Sequence, residues 1–150
     1  GAEGEGWKQV TSELAFERSG PERFLSSIEL LVQLLEVLKG RDSDAAQITI
    51  GRVTARLAVL RRLSRSVAGM LQEKQDAGLP AAIVKDVGAL FEQGLPDIAR
   101  ELFDCEPDPR SAHAYAAVLA NIVHNAPSWS LRGGTREILR GIIARGLGTR

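Results

Sequence analysis

The chain has 150 residues, 44% of them hydrophobic, and its 19 Lys and Arg residues balance its 19 Asp and Glu residues. This is the size and composition of one globular domain, which can bury a core without disulfides or a structural metal. The balanced charge argues against a nucleic-acid partner and against a membrane surface, since both favour a basic excess. A single cysteine, Cys105, cannot form an internal disulfide, and the acidic, glycine-rich start lacks the features of a signal peptide. A reducing, cytoplasmic location is expected.

Apolar residues recur at helical spacing along the chain, which predicts an all-α domain. Trp7 to Arg18 is predicted to be helical. A kink or break is predicted at Ser19-Gly20-Pro21, because proline lacks a backbone donor and disfavours helix in the residue before it. Gly40 is suited to end the next apolar stripe, which consists of Phe24, Ile28, Leu31, Leu35 and Leu38.

The next helix is predicted after the polar connector Arg41 to Asp44. Its apolar stripe consists of Ile50, Val53, Leu57, Leu60, Ser64, Val67 and Leu71. The other face carries five arginines, interpreted as solvated or subunit-facing side chains rather than as a basic patch: Arg52, Arg56, Arg61, Arg62 and Arg65.

Gly78-Leu79-Pro80 separates that helix from a third, in which Gly94 and Pro96 predict a bend. Asp108-Pro109 is typical of a helix start, so a fourth helix is predicted from Pro109 to Asn125. A short final helix is predicted from Thr135 to about Arg145. The expected fold is an antiparallel four-helix bundle with a short additional C-terminal helix.

Few residues suggest chemistry by spacing alone. His113 and His124 lie eleven positions apart without a carboxylate at metal-ligand spacing, so no metal site is predicted. Gly133-Gly134-Thr135 precedes a helix, where free amide donors can bind an anion such as a phosphate. A tight turn without a ligand explains the two glycines equally well.

Two stretches resemble the C-terminal helical domain of flavin-dependent acyl-CoA dehydrogenases: residues 13–20, ELAFERSG, and residues 131–148, LRGGTREILRGIIARGLG. Residues 84–93 resemble the third bundle helix of bacterial members, so the resemblance covers essentially the whole chain. It implies a flavoprotein of fatty acid metabolism that binds FAD. It further implies α,β-dehydrogenation of an acyl-CoA substrate, with an electron-transfer flavoprotein or a similar acceptor as partner.

The resemblance also implies site residues. Many members carry the catalytic base directly before the Gly-Thr of the closing motif, where this chain has Gly133. Others place a glutamate before an arginine on the first bundle helix, which makes Glu17 the expected base and Arg18 a residue that orients it or binds substrate. Glu17 is therefore expected near the Gly133-Gly134 turn. FAD contacts are implied for Gly134, Thr135 and Glu137.

In that family the N-terminal helical domain and a middle β-domain precede this bundle. Residues 1–150 are therefore expected to form only the C-terminal domain, inactive in isolation. The alternatives are a non-catalytic scaffold subunit of a heteromeric acyl-CoA dehydrogenase or a helical oligomerisation module. Long apolar stripes predict self-association as a homodimer or homotetramer, or assembly into a heteromer.

Overall fold

A computed structural model describes residues 1–149 as six α-helices and two 3₁₀ turns, with no strand in that range. The predicted all-α class is confirmed, whereas the grouping into an antiparallel four-helix bundle stays a prediction. None of the helices in the described range is both long enough and apolar enough to cross a membrane. The helices are α1 (Gly6–Ser19), α2 (Ile28–Leu38), α3 (Asp44–Gln72), α4 (Gly78–Leu102), α5 (Ala114–Asn125) and α6 (Arg136–Gly146), and the 3₁₀ turns are Pro21–Arg23 and Ala126–Ser130.

The predicted break after α1 is confirmed. Pro21 opens a 3₁₀ turn, and α2 begins only at Ile28, so Phe24 is buried without being part of either helix. The hydroxyl of Ser64 on α3 donates a hydrogen bond of 2.6 Å to the carbonyl oxygen of Ser19. This bond satisfies a carbonyl that the interrupted helix leaves free, and it fixes the break against α3.

Helix α4 is the central element, because it packs against α1, α2, α3, α6 and both 3₁₀ turns. Pro80 lies in its first turn as predicted, and Pro96 lies inside the helix without ending it. A Cβ atom at Gly88 would collide with the carbonyl oxygen of Arg23. Glycine at this position therefore allows the 3₁₀ turn after α1 to approach the backbone of α4.

The predicted start of the fourth helix at Pro109 is wrong, because α5 begins at Ala114. The Asp108 carboxylate accepts a hydrogen bond of 2.9 Å from the Arg110 amide, as in an Asx turn. The Asp108 amide in turn donates to the carbonyl oxygen of Ala116 at 3.3 Å. The segment folds back over the beginning of α5, so the aspartate initiates a turn rather than capping a helix.

A pair of leucines on α4 tests this core. Leu95 is 1% exposed and Leu90 is 46% exposed. Leu95→Ala should lower the free energy of unfolding by about 2–5 kcal/mol, since it leaves a cavity in a filled core. Leu90→Ala should cost about 1 kcal/mol or less. Chemical denaturation measures both, and equal losses would contradict the orientation of α4.

Candidate functional site

The turn between the second 3₁₀ turn and α6 has a backbone that glycine adopts readily. Gly133 has φ +68° and Gly134 has φ +108°, both in the left-handed region. Thr135 then occupies the N-cap position of α6 with extended backbone, and its hydroxyl does not bond to an amide of the first turn. The turn therefore places half-buried backbone without side chains at the beginning of a helix, where the dipole favours negative charge.

Arg18 joins α1 to this turn. Its Nε atom donates a hydrogen bond of 2.8 Å to the carbonyl oxygen of Gly133. Nη2 of the same guanidinium lies 3.6 Å from the position of a Cβ atom at Gly134. Burial lowers the pKa of Arg18, although the neighbouring Glu17 carboxylate opposes the shift. Glycine at both positions leaves the guanidinium in close contact with bare backbone.

Glu17 also lies against the turn. Its Oε1 atom is 3.4 Å from the position of a Cβ atom at Gly133. The same oxygen accepts a hydrogen bond of 3.1 Å from Nη2 of Arg23, and the Glu17 side chain is 42% exposed. Nε of Arg23 also donates to the backbone carbonyl of Glu17 at 2.6 Å. The structure thus brings Glu17 and Arg18 to the Gly133-Gly134 turn, as expected from the sequence.

Thr135 and Glu137 lie at the start of α6, next to the turn. The pKa of Glu137 is lowered mainly because its own backbone N–H, and then the Thr135 hydroxyl, stabilise the carboxylate. Glu137 is exposed. The glutamate therefore places a negative charge where an anionic ligand was expected, so such a ligand would have to displace its side chain.

A buried charged network beneath the turn was not identified from the sequence. Glu92 on α4 is fully buried, and its Oε1 accepts a hydrogen bond of 2.7 Å from the amide of Ser26. Its Oε2 accepts one of 3.1 Å from Nη2 of Arg132. Nη1 and Nη2 of Arg132 also lie 3.3 and 3.2 Å from the Ser26 hydroxyl. These contacts tie the segment before the turn to α4 and to the beginning of α2.

Lys85 forms a second tie, two helical turns before Glu92 on the same face of α4. The side chain has no exposure, and Nζ donates a hydrogen bond of 2.6 Å to the carbonyl oxygen of Trp129. Burial lowers the pKa of Lys85 to about 8, assisted by the positive charge of Arg132 and opposed by Glu92. The amine thus holds the second 3₁₀ turn against the middle of α4.

Asp86 provides the third tie, at the beginning of α6. It accepts a hydrogen bond of 2.8 Å from Nε of Arg136 and lies 3.6 Å from Nε of Arg140. Because Arg136 is the first residue of α6, this pair fixes the helix directly after the glycine turn. One sequence signal could have revealed the network, because Lys85 and Glu92 interrupt a buried stripe of α4 whose members are three or four residues apart. The stripe consists of Ala81, Lys85, Gly88, Glu92, Leu95 and Ala99.

The residues considered for metal binding remain apart. His113 precedes α5 and stacks on Phe103 with ring centroids 6.4 Å apart, while Nδ1 of His124 lies 2.8 Å from the carbonyl oxygen of Ala120. Within residues 1–149, no group of three or more His, Cys, Asp or Glu side chains is arranged to hold a metal ion.

Comparison with known proteins identifies a fold and not a family. No family model and no curated protein matches the chain. A solved structure described as the electron transferring flavoprotein of Acidaminococcus fermentans, in work towards a mechanism of flavin-based electron bifurcation, matches with a TM-score of 0.80. The match covers 98% of this chain and 40% of that chain at 19% sequence identity. This chain therefore spans well under half of the similar structure, and the similarity concerns the fold alone.

This match corrects two expectations from the sequence. The structural neighbour is described as an electron transferring flavoprotein, and so the resemblance to acyl-CoA dehydrogenases and the acyl-CoA dehydrogenation inferred from it are contradicted. Short motifs such as Gly-Gly-Thr at a helix start also serve as local turn and cap signals, which explains why such motifs can mislead. The proximity of the candidate residues is a separate, geometric observation.

Glu92→Gln tests whether the buried network supports the fold. The change keeps the size of the side chain but removes the charge that pairs with Arg132. The free energy of unfolding should fall by about 1.5–3 kcal/mol, the range for hydrogen bonds to charged groups. Glu36→Gln, in the exposed Glu36–Lys39 pair, is the matched control and should cost less than about 1 kcal/mol. Equal losses in chemical denaturation would show that the network contributes no more than a surface pair.

The lowered pKa of Lys85 predicts a pH dependence. Its folded pKa is about 8, and its usual value is 10.5. Between these values the unfolded chain binds a proton that the folded chain does not, so stability contributed by this group should rise with pH. From about pH 8 to about pH 10, the free energy of unfolding of the protein relative to Lys85→Met should increase by roughly 2 kcal/mol. A flat or falling difference in denaturation experiments would contradict a buried amine.

Proposed function

We propose that this chain is the helical domain of a larger electron-transferring flavoprotein and that the Gly133–Thr135 turn faces the flavin. The proposal rests mainly on the turn, in which two glycines with positive φ precede α6 and the Arg18 guanidinium lies against them. The similarity in fold to a protein described as an electron transferring flavoprotein supports the proposal.

The residues at the turn fit one edge of a flavin. Gly133 and Gly134 carry no side chains, and Arg18 and Glu17 lie against them, so a planar ring or a phosphate would meet the turn together with these two side chains. Arg18 and the first turn of α6 supply positive potential for a phosphate or for the anionic reduced ring. Only one edge is provided by these residues, so the rest of the binding site belongs to the remainder of the longer protein. A bound flavin would supply the electron-accepting and electron-donating chemistry.

Each candidate residue has a stated part in this proposal. Arg18 bonds to the turn through Nε and directs its remaining donors toward the ligand. Gly134 and Thr135 offer backbone and hydroxyl contacts, and Glu137 moves aside when an anionic group binds at the beginning of α6. Glu17 holds Arg23 and borders the turn. Its expected role as base belonged to the acyl-CoA reaction and is not carried over.

The partner in this proposal is another redox protein that exchanges electrons with the flavin. The description of the structural neighbour, which concerns electron transfer, supports that class of partner. Self-association of the domain as a homodimer or homotetramer stays a prediction from its exposed apolar residues, among them Trp7, Phe16 and Leu131.

Flavin retention by the full-length protein tests the proposal. The purified protein should carry bound flavin, visible as yellow absorbance. Arg18→Ala should weaken flavin binding by about tenfold or more, the equivalent of one lost charge-assisted hydrogen bond. Arg100→Ala, an exposed arginine on α4, is the control and should bind flavin as the unchanged protein does. Absence of flavin after incubation with FAD or FMN, or equal affinity in the Arg18 variant, would contradict the proposal.

A further inference from the structure

Helix α3 buries little of its length. It has 29 residues, yet only Val53, Leu60 and Val67 are buried, each seven residues from the next. Helix α4, with 25 residues, buries twelve. A stripe with one buried residue every seven positions covers only one narrow side of a helix. The opposite side of α3 is therefore left without a partner in the described part of the chain.

The charges on α3 are all of one sign over most of its length. No Asp or Glu occurs between Ala45 and Gln72, whereas five exposed arginines do. We call this exposed side the arginine face, and its arginines are Arg52, Arg56, Arg61, Arg62 and Arg65. Among residues 1–149 none of the five forms an ion pair, although Arg23, Arg132 and Arg136 each do. Arg61 and Arg65 are four positions apart, where like charges destabilise a helix.

The arginine face also has an apolar centre. Ile48 and Val59 are each 56% exposed, and the helical period places them with Ala55 on one strip. The same period places Arg52 and then Arg56 along one edge of the strip and Arg62 and then Arg65 along the other, whereas Arg61 lies farther round the helix. Apolar side chains between arginines are typical of protein interfaces, where arginine is enriched.

A groove follows the edge that faces α4. It has a volume of about 370 Å³ and is lined by Arg56, Leu60, Val87, Leu90 and Phe91. Toward the other edge, Arg61, Arg62 and Arg65 share an open surface of α3 with Ala58 and Ser66. Val87 and Leu90 on α4 are themselves 40% and 46% exposed, so the apolar surface continues across the groove.

We propose that the arginine face docks an amphipathic helix of a partner protein, whose apolar stripe lies on Ile48, Ala55 and Val59 and whose flanks carry carboxylates. Charge complementarity selects this occupant. A second copy joined through the same face would bring two sets of arginines together. Phosphates of a nucleic acid would leave the apolar strip uncovered. Helix-in-groove recognition uses apolar anchors at the spacing found on α3.

Binding of synthetic peptides tests the proposal without reference to flavin. The probe is a labelled amphipathic helical peptide of Leu, Ala and Glu, and the control peptide has Gln in place of Glu. The protein should bind the Glu peptide about tenfold or more tightly than the Gln peptide, by fluorescence anisotropy, with affinity that falls as salt rises. Val59→Ser should also weaken binding, because the apolar strip is part of the site.

Charge reversal provides the decisive comparison. Arg52→Glu with Arg62→Glu removes one arginine from each edge and should abolish binding of the Glu peptide, while a peptide with Lys in place of Glu should now bind. Arg100→Glu with Arg110→Glu makes the same charge change elsewhere, at exposed residues, and should leave binding within about twofold. Circular dichroism checks that each variant is folded.

Several results would overturn the proposal. They are no preference for the Glu peptide, equal loss in the Arg100/Arg110 variant, and failure of the Lys peptide to bind the reversed face. Competition by RNA or tripolyphosphate that is insensitive to Val59→Ser would indicate a phosphate-binding surface instead. Light scattering that shows a dimer lost on reversal of Arg52 and Arg62 would assign the face to a second copy.

Discussion

Lys85 and Glu92 are buried in the middle of α4, and their need for polar partners determines how both ends of the chain pack on this helix. A charged side chain without solvent must be paired or hydrogen-bonded, because an unpaired buried charge costs several kcal/mol. Their partners are the Trp129 carbonyl, Arg132 and the Ser26 amide, which come from the two ends of the chain. The path of residues 126–134 across α4 is therefore fixed by charge satisfaction as much as by apolar packing.

The shape of the glycine turn follows from these ties. Arg132 is held on Glu92 before the turn, and Arg136 is held on Asp86 after it. The chain must reverse between two anchored residues, which explains positive φ at both intervening glycines. Arg18 then closes over the turn from α1 and bonds to Gly133. A rigid support of this kind is what a ligand-facing turn requires, since the backbone must be in place before the ligand arrives.

Local signals predicted much of the fold. Pro21 and Gly78-Leu79-Pro80 mark helix boundaries, because proline restricts the backbone of the residues next to it. The apolar stripes predict the helices, because their spacing repeats within a few residues. The helix start predicted at Asp108-Pro109 was wrong, because the same two residues are typical of an Asx turn and of a helix N-terminus. The hydrogen bond that stabilises the turn joins the Asp108 amide to the Ala116 carbonyl, and the local sequence does not reveal it. The buried network was missed for a related reason, since Glu92 and Arg132 are forty positions apart.

The site shows the same division. The proximity of Glu17 to the Gly133-Gly134 turn was expected, and Arg18 contacts the same turn across 115 positions, whereas the roles of these residues stay predictions. The reaction could not be inferred from them, because a glycine turn, an arginine and a glutamate are compatible with many ligands, and the structural neighbour does not support acyl-CoA dehydrogenation. Glu137 adds a specific requirement, a side chain that must leave the beginning of α6 before an anion can bind.

Hydrogen–deuterium exchange of the full-length protein, with flavin bound and after its removal, tests whether the Gly133–Thr135 turn faces the flavin. Bound flavin should slow exchange in residues 131–139 and around Glu17 and Arg18, with α3 unchanged. Protection confined to other parts of the protein, with no change at the Gly133–Thr135 turn, would contradict it.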